Sequence, residues 1–146
     1  MKPYLSHLFV LLALFFFTSI ALANRDRVAL VIGNSEYFIA PLKNPANDAS
    51  DIFKKLEEKG FKVKTLINSS KKEMELAVRD FIKSLNSDAV GLFYFAGHGL
   101  EVEGENFLVP IGASIEIESD VRYEAVNAGR VLEGMSHSDN GLNIVI

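Results

Sequence analysis

The amino-acid sequence predicts an α/β domain whose sheet is mostly parallel and is covered by helices on both faces. Three observations carry this reading. Arg27–Gly33 and residues 89–96 are unbroken apolar runs of the kind found in strands buried on both faces. Met74, Ala77, Val78, Phe81, Ile82 and Leu85 recur at helical spacing between those runs. Strand-like and helix-like segments then alternate along the chain, which is the pattern of parallel strands joined by crossover helices.

Each element has a local reason. Gly33 closes the first apolar run, and residues 34–43, with Tyr37, Phe38 and Pro41, form a loop. Asn44-Pro45 starts a helix, because proline in the first turn forfeits no intrahelical hydrogen bond. Ile52, Phe53 and Leu56 give that helix one apolar face, and Gly60 stops it. Residues 61–67 alternate loosely as a second strand. Ser70-Lys71-Lys72-Glu73 has the form of a capping box opening the second helix. The run at 89–96 ends in Gly97-His98-Gly99. Residues 102–110 read as a hairpin turning near Gly104, residues 124–135 as a short helix, and residues 142–146 as the opening of a last strand.

Composition narrows the function. The chain has 146 residues, 49% of them hydrophobic and 23% charged, and a formal net charge of −4. It is too apolar for disorder and carries no basic stripe suited to nucleic acid. It contains 0 cysteines, which excludes disulfides, thiolate metal sites and thiol catalysis by these residues. At the N-terminus, Lys2 precedes the apolar run from Leu8 to Phe17 and the small-residue pattern Ala21-Leu22-Ala23. This is the layout of a secretory signal peptide over residues 1–23, cleaved after Ala23. Export to the periplasm or the extracellular space is the expectation, with an uncleaved signal anchor as the alternative. The run is short for a span of ~20 residues. His7 lies in this leader and is set aside, and residues 24–146 form the single expected domain.

Two segments could carry chemistry. In Tyr94-Phe95-Ala96-Gly97-His98-Gly99 an apolar strand delivers a histidine between two glycines at its carboxyl end, where open α/β sheets bind ligands. His98 there fits either general acid–base work or a simple strand-end cap. The flanking glycines allow a sharp turn and close approach, and the Gly99 N–H could face a developing oxyanion. In Asn47-Asp48-Ala49, Asp48 fits either a favourable charge in the first turn of a helix or a carboxylate facing a cationic substrate group. Asp51, nearby on the same helix, reads as a solvated surface group. Gly33-Asn34 fits a cleft wall or a plain turn. His137 lies in the polar stretch at 136–141, and with His98 it lacks the further ligands that zinc requires. A metal-dependent hydrolase and a flavodoxin-like binding domain are therefore the weaker rivals, and no P-loop or Gly-x-Ser-x-Gly elbow is present.

Taken in order, Val28-Ala29-Leu30-Val31-Ile32-Gly33-Asn34 with Tyr37, then Leu42 through Asn47-Asp48-Ala49 to Gly60-Phe61, then Phe93 to Gly99 with Asn106-Phe107-Leu108-Val109-Pro110, resemble the caspase-like fold of clan CD cysteine peptidases (peptidase C14), in the bacterial metacaspase and paracaspase-like branch. The resemblance runs from residue 27 to residue 146. It implies a three-layer sandwich in which His98 is the catalytic base and acid, the Gly99 N–H contributes to the oxyanion hole, and Asp48 lines an S1 pocket for Arg or Lys. The implied partner is a peptide or protein with a basic P1 residue. No cofactor is called for, although the resemblance raises calcium as a candidate. In caspases the histidine precedes the cysteine by ~50 residues. Counted from His98, the cysteine is expected near position ~148, past Asn143-Ile144-Val145-Ile146. The expectation is thus the front, p20-type part of a secreted cysteine endopeptidase, inactive by itself. The alternative is a non-enzymatic caspase-like binding module.

Overall fold

The computed structural model describes residues 25–146, so the signal peptide expected over residues 1–23 lies outside the described residues. The element order is β1 (Arg27–Gly33), α1 (Pro45–Glu58), β2 (Lys62–Ile67), α2 (Lys71–Ser84), β3 (Val90–Ala96), β4 (Gly99–Val102), β5 (Glu105–Leu108), a 3-10 turn (Glu118–Asp120), α3 (Val121–Glu124), β6 (Val126–Asn127), α4 (Ala128–Ser136) and β7 (Leu142–Val145). No helix among the described residues is long and apolar enough to cross a membrane.

Four strands form one sheet in the order β2-β1-β3-β7. All three pairings are parallel, with Gly33 opposite both Ile67 and Ala96. From β1 the chain crosses to β2 on one side, and from β2 it returns to β3 on the other. Right-handed crossovers therefore place α1 and α2 on opposite faces. The period of two sorts the side chains accordingly. Leu30, Ile32 and Phe93 point to the α2 and α4 side, where they join Met74, Ala77, Phe81, Val131 and Met135 in the main core. Each side chain of this size, fully buried, contributes about 1.5–3 kcal/mol. Ala29, Val31 and Gly33 face α1.

The helix starts are made differently. The capping box at α2 forms as its residues suggest: Glu73 N–H donates to Ser70 Oγ at 3.4 Å, and Ser70 N–H donates to Glu73 Oε2 at 2.8 Å. The Ser70 side chain and then its backbone N–H hold the Glu73 carboxyl below its ordinary value. At α1, Pro45 occupies the first turn, but Asn44 supplies no side-chain cap. Ser35, from the preceding loop, takes that role and accepts from Ala46 N–H at 2.9 Å.

Two expectations need correction. The hairpin begins at Gly99 rather than at residue 102, with Val102 paired to Glu105. Its two-residue turn, Glu103-Gly104, has φ values of 52° and 79°, as a type I′ turn requires. The single helix expected over 124–135 is two helices separated by β6. Ala125 turns extended to end α3, Val126 and Asn127 pair with β5, and the Asn127 side chain caps α4 by accepting from Arg130 N–H at 3.3 Å. The small β4-β5-β6 sheet was therefore only partly legible. On the exposed face of this hairpin, Glu103 and Glu105 both hold Arg122, at 2.6 and 2.8 Å.

Close packing of α1 on β1 depends on Gly33. A Cβ there would lie 2.6 Å from the Ala49 Cβ and closer still to the Pro45 carbonyl oxygen, neither of which can move without shifting α1. Gly33→Ala is expected to lower unfolding stability by about 2–3 kcal/mol, read from the urea midpoint at unchanged slope.

Candidate functional site

The strand order reverses between β1 and β3, and the crevice at their carboxyl ends is where an open α/β sheet binds ligands. Asn34, immediately after β1, is fully buried there. Its backbone N–H donates to the Ala96 carbonyl at 2.8 Å. Its side-chain oxygen accepts from Ser69 N–H at 2.9 Å and from Ser69 Oγ at 3.2 Å. Its side-chain nitrogen donates to the Val109 carbonyl at 3.2 Å and approaches Met74 Sδ at 3.6 Å. One amide thus joins the ends of β1 and β5 to the loop before α2. Asn68, at φ 52°, closes the neighbouring turn by accepting from Ser35 N–H at 2.8 Å and Glu36 N–H at 3.2 Å. Asparagine tolerates this left-handed backbone better than most residues do.

His98 stands where β3 gives way to the hairpin. Its carbonyl accepts from Val109 N–H at 2.9 Å. In a regular antiparallel ladder the same pair would close with His98 N–H donating to Val109 C=O. Here the Tyr37 hydroxyl occupies that place: it accepts from His98 N–H at 3.0 Å and donates to Val109 C=O at 2.9 Å. Gly97 makes room for it, since a Cβ would lie 2.5 Å from the Tyr37 oxygen and 2.7 Å from the Phe95 ring. The Tyr37 and His98 rings pack with centroids 4.5 Å apart at 54°. Burial pushes the Tyr37 phenol above its ordinary value, against the opposing pull of the His98 N–H and the Asn34 side chain.

The imidazole is fixed from its far edge. His98 Nε2 lies 2.7 Å from the Ala40 carbonyl, which can only accept, so Nε2 carries the proton and Nδ1 is the basic nitrogen. Ala40 itself has a φ of 56°, a strained conformation for a residue with a Cβ, held by the loop that Leu42 N–H closes onto the Ser35 carbonyl at 2.9 Å. Phe38 and Ile39, just before it, are exposed.

Gly99 pairs with Leu108. Because the adjacent His98–Val109 pair is the hydrogen-bonded one, the alternation of the ladder turns the Gly99 N–H away from β5. A Cβ at Gly99 would meet only the Phe107 carbonyl oxygen at 3.7 Å, so packing within the chain does not demand glycine there. Asp48 is exposed in the first turn of α1, and among the described residues its carboxylate has no hydrogen bond or ion pair. It sits on the β3 side of α1: burial first, and the Asp48 charge second, push the Tyr94 phenol upward. No hydrogen bond links Asp48 to His98. Asp51 pairs on the surface with Lys54 at 3.0 Å. His137 is exposed and places Nδ1 2.8 Å from the Glu133 carbonyl at the end of α4.

His98 and Gly99 lie at the carboxyl end of β3 and Asp48 in the first turn of α1. The sequence leaves Asn34 open between a cleft wall and a turn and does not single out Tyr37 from its loop. The available signal was two polar, turn-forming residues and an aromatic packed directly after a buried strand.

The comparisons with known proteins agree on the architecture. The family model described as Caspase domain matches residues 26–140. The human mucosa-associated lymphoid tissue lymphoma translocation protein 1 is 35% identical over 123 residues, covering 84% of this chain and 15% of the relative. Its mouse homologue is also 35% identical over 123 residues, 84% of this chain and 14% of the relative. The chain therefore spans about a seventh of the length of these curated relatives. A crystal structure of a Geobacter sulfurreducens protein superposes with a TM-score of 0.61 at 17% identity, over 82% of this chain and 48% of that one.

Tyr37→Phe strips the His98 amide and the Val109 carbonyl of a shared buried partner, and a loss of about 1–3 kcal/mol is expected. The wild-type phenol has a raised folded pKa. Its stabilising contribution is therefore complete below the unfolded value of 10.0 and fades as pH climbs through the folded one. The gap between the stability profiles of the two proteins should narrow as pH rises through that range, and a constant gap would place the hydroxyl elsewhere.

Proposed function

The chain belongs to the caspase domain family, and from that premise we propose that it is the histidine-bearing part of a cysteine endopeptidase that cleaves after arginine or lysine. The observation that carries this reading is the setting of His98. It stands at the carboxyl end of a buried strand with Nε2 tied to a carbonyl, which leaves Nδ1 to exchange protons. The peptide chemistry then proceeds as follows. His98 Nδ1 takes the proton of a cysteine thiol, the thiolate attacks the scissile carbonyl, and the negative charge on the tetrahedral oxygen is met by the Gly99 N–H. His98 next returns the proton to the leaving amine, and water, activated by the same imidazole, hydrolyses the acyl-enzyme. Asp48 receives the cationic P1 side chain, with which a guanidinium can pair through two parallel hydrogen bonds.

The 146 residues contain 0 cysteines, so they do not perform this step alone. The reading takes the thiol from residues that follow β7. Register supports this: Ile146 N–H donates to the Phe93 carbonyl at 3.0 Å, and Phe95 N–H donates to the Ile146 carbonyl at 3.0 Å. A chain continuing in the same direction would run alongside Gly97 and His98. The dyad needs no cofactor, and the N-terminal residues 1–23 direct export.

The absence of cysteine also favours a second reading, a caspase-like module that binds without cleaving. One experiment separates the two. The full reading frame is expressed and assayed on peptides differing only at P1. Cleavage after Arg or Lys is expected, with kcat/KM falling ~10²–10⁴-fold in His98→Ala. Asp48→Asn should cost roughly tenfold or more on the Arg peptide, the scale of a lost charge-assisted hydrogen bond. Preference for Asp at P1 removes Asp48 from the pocket. No cleavage by the wild type, at any P1, leaves the binding module.

A further inference from the structure

A cavity of about 750 Å³ lies on the α2 side of the sheet, the face opposite α1 and Asp48. Neither His98 nor Gly99 lines it. Its floor is apolar, with Val78, Ile82 and Val131 beside the ring of Phe107. Its rim is basic: Lys71, Arg79, Lys83, Arg122 and Arg130 border it, against a single carboxylate, Glu75. The protein as a whole has the opposite bias, with 15 Lys and Arg against 19 Asp and Glu. Basic side chains are thus gathered here against the trend of the chain.

The rim charges differ in availability. Arg122 is held by Glu103 and Glu105 and sits 5.9 Å over the Phe107 ring, so it forms a fixed wall. Lys71 donates to the Tyr123 carbonyl and lies 3.8 Å from Glu75. Lys83 and Arg130 are exposed and have no ion pair among the described residues. Lys71, Glu75, Arg79 and Lys83 recur at every fourth position, so they form one stripe along α2. The twelve residue steps from Lys71 to Lys83 give that stripe a length of about 18 Å.

We propose that this cavity docks an extended acidic peptide segment with apolar residues at alternate positions. Alternation sends every second side chain to the apolar floor and the others to the basic rim. About 18 Å accommodates roughly five or six extended residues. The spread of charge selects this occupant over others. A lipid or fatty acid concentrates its negative charge at one end, whereas the cations here run the length of the groove. A free phosphate has no use for the floor. The surface is separate from the peptidase reading and does not depend on a nucleophile.

The probe is a fluorescein-labelled octapeptide alternating Glu and Leu, titrated into the full chain and followed by anisotropy. Saturable binding that weakens with salt is expected. The double variant Lys83→Glu/Arg130→Glu should bind at least tenfold more weakly, and Lys83→Ala and Arg130→Ala alone should each lose part of that, with thermal unfolding midpoints unchanged in all three. Binding unaffected by these changes, or equally tight binding of an all-Glu octapeptide, overturns the proposal. So does displacement of the peptide by phosphatidylglycerol vesicles that themselves lose affinity in the double variant, because the site is then a lipid site.

Discussion

The crevice is organised by one buried amide. Asn34 has no contact with water, so each of its polar atoms must find a partner inside the protein or cost about 1–3 kcal/mol. Its partners come from the loop before α2 and from the end of β5, segments 35 and 75 residues away in sequence. Satisfying them sets where Val109 lies, and Val109 in turn receives His98 in the hairpin ladder. The position of the histidine is therefore determined from beneath, by a residue that follows a different strand, before any substrate is present.

Tyr37 converts that fixed frame into an orientation. Its hydroxyl replaces one hydrogen bond of the pair, so the His98 N–H stands off from the Val109 carbonyl by the width of an oxygen while the His98 carbonyl still accepts from Val109 N–H. The gap is usable only because residue 97 is glycine. On the other edge of the imidazole, the Ala40 carbonyl reaches Nε2 through a left-handed turn that costs an alanine of order 1–3 kcal/mol. Such strain persists where surrounding bonds over-determine the chain, and here Ser35 supplies them. It closes the loop through its carbonyl and anchors α1 through its hydroxyl. The loop that aims His98 and the helix that carries Asp48 thus share one serine.

How much of this could be read from the residues follows from the range of the interactions. The periodicity of Met74 to Leu85 and the box at Ser70–Glu73 involve neighbours within one or two turns, and both appear as the residues suggest. The break at Ala125 does not, because β6 exists only through its pairing with β5. Local propensity over 124–135 favours a continuous helix, and the tertiary pairing overrides it. Asn34 was ambiguous for the same reason: a polar residue after a strand is a turn signal, and its burial depends on partners that no local pattern reveals. Gly97 was recognised as a place of close approach, but the approaching group, a phenol 60 residues upstream, was not legible.

The arrangement also separates two kinds of charge. On the α1 side, the Asp48 carboxylate, without an ion pair among the described residues, stands near the carboxyl half of β3, close enough to bias the Tyr94 phenol. On the α2 side, the basic rim surrounds an apolar floor. The sheet between them is apolar and all parallel, so neither set can neutralise the other by direct pairing. In an acidic protein this segregation gives the two faces of one sheet opposite local charge. Phe107 connects the two sides physically. It walls the groove, and two residues later the Val109 carbonyl accepts from the Tyr37 hydroxyl, which in turn accepts from the His98 N–H.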